Sequence, residues 1–347
     1  MLFRLPAVGA VLIGAVVVAA YFGYRAAADP FRGFPEAEVF VVVPPGESSI
    51  SIASQLEKSG VIMDARLFLL ALRLRGEAGR LQAGEYRFAD ASSTFQVIDR
   101  LVGGDVFYLS VTIPEGLTLF ETAELLSKRG FGDAGTYAEI FGSGTLVADV
   151  DPAATDLEGY LFPETYHLAR NPAPDDVARA LVTRFHHVFD AERMEKARQR
   201  GLSVREVVTM ASVVEKETGL ATERPLIASV FWNRLARQMP LQSDPTVIYG
   251  LKREGRYDGN LRRKHLRAKG VYNTYVNRGL PPGPIASPGQ DAIDAVLDPA
   301  ESKYLYFVSK NDGSHKFSAT LKEHNAAVRK YQIEYFRSRR AQGMNPS

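Results

Sequence analysis

Cysteine is absent from the 347 residues, and tryptophan occurs once, at Trp232. Without thiols the chain can form no disulfide, no thiolate nucleophile and no cysteine-ligated metal site. The absence does not choose a compartment, because a fold that needs no covalent staple is equally at home where thiols are oxidised. Histidine is scarce as well. The six, His167, His186, His187, His265, His315 and His324, fall in no HExxH or comparable ligand spacing, so no metal is expected. Also missing are a GxSxG elbow, a P-loop and a dinucleotide fingerprint, which removes support for a serine hydrolase, an NTPase or a dehydrogenase and implies no cofactor. Net charge is +2, too small to argue for a nucleic-acid partner. Carboxylates, aromatic rings and amides remain, the usual lining of a glycan site.

What is present has the composition of an ordinary globular protein, with 46% hydrophobic, 10% aromatic and 24% charged residues. Charge is lacking over one long stretch, residues 5–24, between Arg4 and Arg25. At about 1.5 Å per residue it spans roughly 30 Å, the thickness of a hydrocarbon core. Tyr21, Phe22 and Tyr24 cluster at one end, as aromatic residues do at a membrane interface. An uncleaved transmembrane anchor is favoured over a cleaved signal peptide, although Ala26-Ala27-Ala28 offers a small-residue cleavage site. The expected topology leaves residues 1–4 as a cytoplasmic head and puts the rest outside the cytoplasmic membrane, since no second span follows.

Beyond the anchor the pattern predicts an α+β protein. Residues 25–37, with Gly33 and Pro35, read as a linker. Strands are expected at 39–43 and 84–88, with helices at 49–58, 65–75 and 94–102. The pattern then recurs: a strand at 107–113, a turn at Pro114-Glu-Gly116 and a helix running to Gly130. At an offset of 70 residues, Gly46 meets Gly116, Ala53 meets Ala123, Leu56 meets Leu126, Lys58 meets Lys128 and Gly60 meets Gly130. Two readings stand side by side: a chance likeness of two strand–turn–helix units, or a small α+β binding module between membrane and active domain. Two copies are too few for a solenoid.

Residues 131–175 are turn-rich and 175–200 helical. Ser203 to Gly219 reads as one buried helix, with Ser203 and Glu206 as its capping box and Gly219 as its stop. Thr222 is expected to cap the following helix, with Pro225 in its first turn. Residues 252–269 hold eight Lys or Arg against Glu254 and Asp258; such a segment is either a solvated loop or a surface for an anionic partner. A hairpin is expected around Asn311-Asp-Gly313, Thr320 caps the last helix, and residues 338–347 form a loose tail.

At the end of the central helix stand Glu215 and Glu217, with Lys216 between them expected in solvent. A carboxylate on a rigid, core-packed helix suits acid–base chemistry. Glu217 follows Met210, Val213 and Val214 at helical spacings, but Glu215 falls near the opposite edge of the same apolar arc, beside Val208 and Ala211, so the helical wheel does not choose between them.

Ala211-Ser-Val-Val-Glu-Lys-Glu-Thr218, Ala228-Ser-Val-Phe-Trp-Asn-Arg-Leu235, Leu241-Gln-Ser-Asp-Pro-Thr-Val-Ile-Tyr-Gly250, Tyr272-Asn-Thr-Tyr275 and Gly279-Leu-Pro-Pro-Gly283 resemble, in order, motifs of the YceG/MltG family of endolytic murein transglycosylases. The resemblance implies a single N-terminal transmembrane helix, a LysM-like module at 38–110 and a mainly helical α+β catalytic domain at 111–337. It implies cleavage of peptidoglycan glycan strands between N-acetylmuramic acid and N-acetylglucosamine, leaving a 1,6-anhydromuramic end. It assigns catalysis to Glu217, the second glutamate of its motif, and makes Gln242, Asp244, Tyr272 and Asn273 candidate substrate-binding residues. For Asp244 and Asn273 a structural role in a turn is an equal alternative, and Trp232 reads as core. Cell-wall synthases are partners the family implies, though no residue identifies one. A hydrolytic muramidase and a non-catalytic glycan-binding scaffold are the competing readings.

Overall fold

The computed structural model describes residues 5–341, with the side chains of residues 5–12, 338, 340 and 341 outside that description. The expected cytoplasmic head, residues 1–4, and residues 342–347 of the expected tail lie outside the described residues. The chain forms two compact units, one made of residues up to Leu109 with His167–Arg170, the other of Ser110–Tyr166 with the chain from Asn171 onward.

The first unit begins with the helix Leu5–Ala28. Among the described residues no helix is long and apolar enough to cross a membrane; the expected span at 5–24 rests partly on side chains 5–12, which lie outside them. The helix runs past Tyr24 into the segment expected to be a linker. The rest of that segment is tied down: Phe31 exchanges backbone hydrogen bonds with Ser92 at 3.0 and 3.1 Å, and Gly33 N–H donates to the Gly60 carbonyl at 2.8 Å. A Cβ on Gly60 would come 2.6 Å from the Gly33 carbonyl carbon, so the approach depends on glycine.

Strand Val39–Val43 pairs antiparallel with Gly84–Phe88, setting Val39 opposite Phe88 and Val43 opposite Gly84. Val41 and Val43 point inward while Val42 is exposed, the alternation of a half-buried strand. Helices Ser49–Lys58, Ala65–Leu74 and Thr94–Gly103 start at the side-chain caps of Ser48, Asp64 and Ser93. They bury Ile52, Leu56, Phe68, Leu72, Val97 and Leu101 in one core with the sheet.

The repeat extends to backbone conformation. Gly46 and Gly116 have φ of 78° and 77°, and Gly60 and Gly130 have 69° and 83°. The helix of the second copy, Leu119–Lys128, is capped by Thr118 with Glu121. Its strand is shorter than expected, Leu109–Thr112, and from Ser110 onward this copy belongs to the second unit.

The second unit is mainly helical. Four expectations need correction. Residues 175–200 form two helices, Pro174–Val188 and Ala191–Gln199, because Phe189 leaves the helix (ψ 63°) to become fully buried and the Asp190 carboxylate caps a fresh start at the Arg193 N–H. Residues 131–175 are not all irregular: Asp133 caps a helix at Ala134–Phe141, and a strand lies at Thr165–Leu168. Thr222 does not cap; it sits in a short 3-10 turn, and the next helix, Arg224–Ala236, starts without a side-chain cap. Of the tail, residues 338–341 continue the helix Tyr335–Ala341. The hairpin is present as Tyr306–Ser309 against His315–Ser318, with Asn311 and Gly313 in the left-handed region, and Thr320 caps Leu321–Val328 with Glu323.

The loop Leu157–Phe162 lies directly on the central helix. Gly159 has φ of 86°, and a Cβ there would stand 2.5 Å from Pro284 Cβ and 2.9 Å from Val208 Cγ1. Gly159→Ala combines a disfavoured backbone with overpacking and is expected to cost about 2–3 kcal/mol. A denaturant midpoint unchanged from wild type would show that the loop does not press on the helix.

Candidate active site

The central helix, Val204–Glu217, is held at both ends and along its body. Ser203 Oγ accepts from the Glu206 N–H, and Glu206 accepts from the Ser203 N–H at 2.8 Å, the reciprocal box expected from the sequence. Val207, Val208, Met210, Ala211, Val213 and Val214 are fully buried. They pack among helices Ala191–Gln199, Arg224–Ala236, Asp244–Arg253 and Gln290–Leu297. Each of the valines and the methionine is worth about 1.5–3 kcal/mol of burial, so the helix is a stiff mount. It ends at Glu217 because Thr218 turns extended (φ −147°, ψ 138°); Gly219, expected as the stop, plays no left-handed part.

The two glutamates that the helical wheel leaves equivalent have different surroundings. The Glu215 side chain is only 6% exposed, and both its oxygens are occupied: Oε1 accepts from Arg224 Nη2 at 2.9 Å and Oε2 from the Gly289 N–H at 3.1 Å. Arg224 also binds Glu115 at 2.8 Å and Asp291 at 3.2 Å. Burial and the neighbouring Glu115 charge raise the Glu215 carboxyl, opposed by the Gly289 hydrogen bond and Arg224. It is the centre of an ion network that joins the central helix to the start of helix Gln290–Leu297.

Glu217 has no ion-pair partner among the described residues. It is half-buried, and Ser243 Oγ donates to its Oε1 at 2.6 Å. Loss of solvent pushes the carboxyl up to about 7; the Ser243 hydrogen bond pulls down, the Asp244 charge pushes up and the Arg234 charge pulls down. Some water still reaches the group while protein surrounds it on most sides, which suits a residue that must exchange protons.

Ser243 is oriented by the strand of chain before it. It occupies the N-cap of helix Asp244–Arg253, yet makes no side-chain cap there, because its hydroxyl is directed to Glu217 instead. The backbone compensates: Ser243 N–H donates to Thr274 Oγ1 at 3.0 Å, and Thr246 Oγ1 donates to the Ser243 carbonyl at 2.7 Å. Buried Arg234 holds the approach by donating to the Leu241 and Leu305 carbonyls, both at 2.7 Å.

The candidate residues divide. Gln242 is exposed with a left-handed backbone (φ 53°), and its N–H donates to the Thr274 carbonyl at 3.1 Å; that turn delivers Ser243. Asp244 is exposed beside Glu217 and accepts from the Tyr275 hydroxyl at 2.6 Å. Asn273 is buried, 4% exposed, and its amide nitrogen serves the carbonyls of His265, Leu266 and Ala268 at 3.1, 3.2 and 2.7 Å, a structural knot. Tyr272 packs edge-on against Tyr249 at 4.8 Å, and Tyr249 accepts from Arg253 at 2.9 Å; among the described residues the hydrogen bond to Glu217 comes from Ser243, not from Tyr272 or Asn273. Lys216 is exposed, as expected, and its Nζ donates to the Gly116 carbonyl at 2.9 Å. Trp232 donates to the Val296 carbonyl at 3.1 Å, a packing role. Sequence reasoning missed Ser243, Arg234 and Tyr275 as site residues. The usable signal was Ser243 itself, a helix-capping residue one step before the motif's Asp-Pro.

A carboxyl balanced near neutrality on a buried helix, flanked by a serine hydroxyl and a tyrosine, defines a site suited to proton transfer on an uncharged polar substrate. The chain belongs to the YceG-like family, whose model matches residues 41–330. It is 32% identical over 332 residues to the endolytic murein transglycosylase of Bacillus subtilis (strain 168), with 91% of each chain covered. It is 28% identical over 347 residues to the endolytic murein transglycosylase of Streptococcus pneumoniae (strain D39), covering 89% of this chain and 61% of that longer one. The crystal structure of a YceG-like protein from Listeria monocytogenes superposes with a TM-score of 0.57 at 32% identity, covering 84% of this chain and 98% of the other.

Proposed function

We propose that this chain is a membrane-anchored lytic transglycosylase that cuts peptidoglycan strands internally, with Glu217 as acid and then base. The observation that carries the reading is the Glu217 carboxyl, raised to about 7 and held by Ser243 at 2.6 Å. An ordinary glutamate is protonated to roughly 0.2% at pH 7, whereas one with a value near 7 is about half protonated and half ionised. Both forms are needed. The acid gives its proton to the glycosidic oxygen as the bond from muramic C1 breaks, and the N-acetylglucosamine alcohol leaves. The C6 hydroxyl oxygen of the same muramic ring then bonds to C1, and its proton passes to the Glu217 carboxylate, which restores the acid. No water is consumed. Because the attacking hydroxyl is already part of the substrate, its effective concentration is high and a second catalytic carboxylate is unnecessary.

Exposed Gln242 and Asp244 are the residues we assign to sugar binding, Asp244 in its pairing with Tyr275. Residues 38–110 form the LysM-like module of this reading, and the helix Leu5–Ala28 is the anchor, its Ile13, Val16, Val17, Val18, Tyr21 and Phe22 each more than half exposed. The protein acts outside the cytoplasmic membrane.

Digestion of purified peptidoglycan by the detergent-solubilised chain, followed by mass spectrometry, tests the reaction. Anhydromuramic ends are expected. Reducing ends alone would make the protein a muramidase that uses water, and intact strands that remain bound would make it a scaffold. Ser243→Ala removes a hydrogen bond that favours the charged form of Glu217. It is expected to lower kcat by roughly 10–100-fold and to shift the pH profile upward. An unshifted profile would show that Ser243 does not act through Glu217.

A further inference from the structure

We infer that the basic segment behind the active-site loop is a docking surface for anionic phospholipid headgroups. The segment's acids are already neutralised: Glu254 pairs with Arg256 at 2.6 Å and Asp258 with Arg262 at 2.7 Å. Of the remaining cations, Lys252 binds Glu121 at 2.8 Å and Arg253 binds Asp156 at 2.6 Å. Arg263, Lys264, Arg267 and Lys269 are exposed and have no ion-pair or hydrogen-bond partner among the described residues. A solvated loop would explain their charge, but not the tying-down of the backbone that carries them. The Asn273 knot binds the carbonyls of His265, Leu266 and Ala268, and Asn277 binds the Gly270 carbonyl at 2.7 Å, so the cations and the following turn form one rigid piece. On that turn Val271 is 71% and Val276 46% exposed. Unpaired cations carried next to exposed aliphatic tips on one tied-down stretch of chain match an anionic interface, where headgroups meet the charges and the tips enter the acyl boundary.

Each cation near such a surface is worth roughly a fivefold gain in partition, so four give on the order of several hundredfold. The carboxylates of peptidoglycan stem peptides could meet these cations, but they offer nothing to the exposed Val271 and Val276 beside them, which is why a lipid surface is favoured over the substrate. The inference rests on the membrane-anchored reading. It adds a consequence: Thr274, in the same turn, bonds Ser243 at 3.0 Å, so a docked patch would set the height of Glu217 above the bilayer.

The absence of native cysteine makes a single reporter possible. Full-length Val271→Cys, reconstituted in vesicles and labelled from outside with an environment-sensitive dye, is compared in phosphatidylcholine alone and in phosphatidylcholine with phosphatidylglycerol. Blue-shifted emission and protection from an aqueous quencher are expected with phosphatidylglycerol alone, and should fade in high salt. The added charge reversals R263E, K264E, R267E and K269E should abolish the shift while digestion of purified peptidoglycan and the unfolding temperature stay unchanged. A set of four glutamine substitutions gives the same comparison if the reversals fail to fold. Equal emission in both lipids, or a shift that survives the substitutions, would overturn the inference. So would a shift produced by soluble polyglutamate and not by phosphatidylglycerol, which would identify an anionic polymer as the partner. A chain that associates with neither vesicle would overturn the anchor as well, while peptidoglycan digestion reports the enzyme reading separately.

Discussion

Glu217→Gln is expected to lower strand cleavage by at least about 10³-fold while leaving the fold intact, because one side chain supplies both proton transfers. Glutamine keeps an oxygen that can accept from Ser243, so the loop at 241–243 stays in place and glycan binding should survive. The same substitution carries a stability signature. The folded carboxyl, near 7, lies above its ordinary value of 4.5, so the folded protein binds this proton more tightly than the unfolded chain. The stability linked to it is complete below about pH 4.5 and is lost as pH rises through 7. At pH 8 the variant should therefore be more stable than wild type by about 1–2 kcal/mol, a figure reduced for the water that reaches the group, and near pH 4 the two should coincide. Unfolding midpoints at the two pH values measure this. Equal midpoints throughout would mean that Glu217 is not desolvated, and normal cleavage by the variant would move attention to Glu215.

Glu215 is expected to answer differently. Arg224→Leu leaves a carboxylate that is 6% exposed without its cation, and breaking a buried pair in this way costs about 3–5 kcal/mol. Because protonation relieves the uncompensated charge, the loss should be larger at pH 8 than at pH 5. Glu215→Gln keeps an acceptor for the Gly289 N–H and leaves Arg224 with Glu115 and Asp291. It should cost only about 1–2 kcal/mol and retain cleavage. Combining the two substitutions should recover part of the Arg224→Leu loss, since no buried charge then lacks a partner. An additive double variant would show that the pair is not coupled.

These contrasts explain what could be read from the sequence and what could not. The central helix start was legible because a capping box is local: Ser203 and Glu206 find each other within one turn. The strand pair and three helices of the first unit were legible because their signals are local too, β-branched and aromatic runs for the strands and apolar spacing for the helices. The choice between Glu215 and Glu217 was not, because their fates depend on Arg224 and Ser243, residues that reach them through tertiary packing. The helix Asp244–Arg253 escaped notice since its cap residue is diverted to Glu217 and Gln242 before it takes a strained turn. Asn273 was a groove candidate only through the family resemblance, with a structural role in a turn as the equal alternative; the turn role is the one its three carbonyl partners, five to eight residues earlier, give it, along a path no local pattern reveals. The break at Phe189 had the same origin, a core position that outweighs helix continuity.

The most direct test of the mechanism is to digest purified peptidoglycan in water enriched in a heavy oxygen isotope and weigh the new muramic ends. Intramolecular closure by the C6 hydroxyl should give anhydro ends that carry no heavy oxygen, formed by the wild-type chain and absent with Glu217→Gln. New reducing ends labelled with one heavy oxygen would contradict it, because water and not the sugar's own hydroxyl would then have attacked.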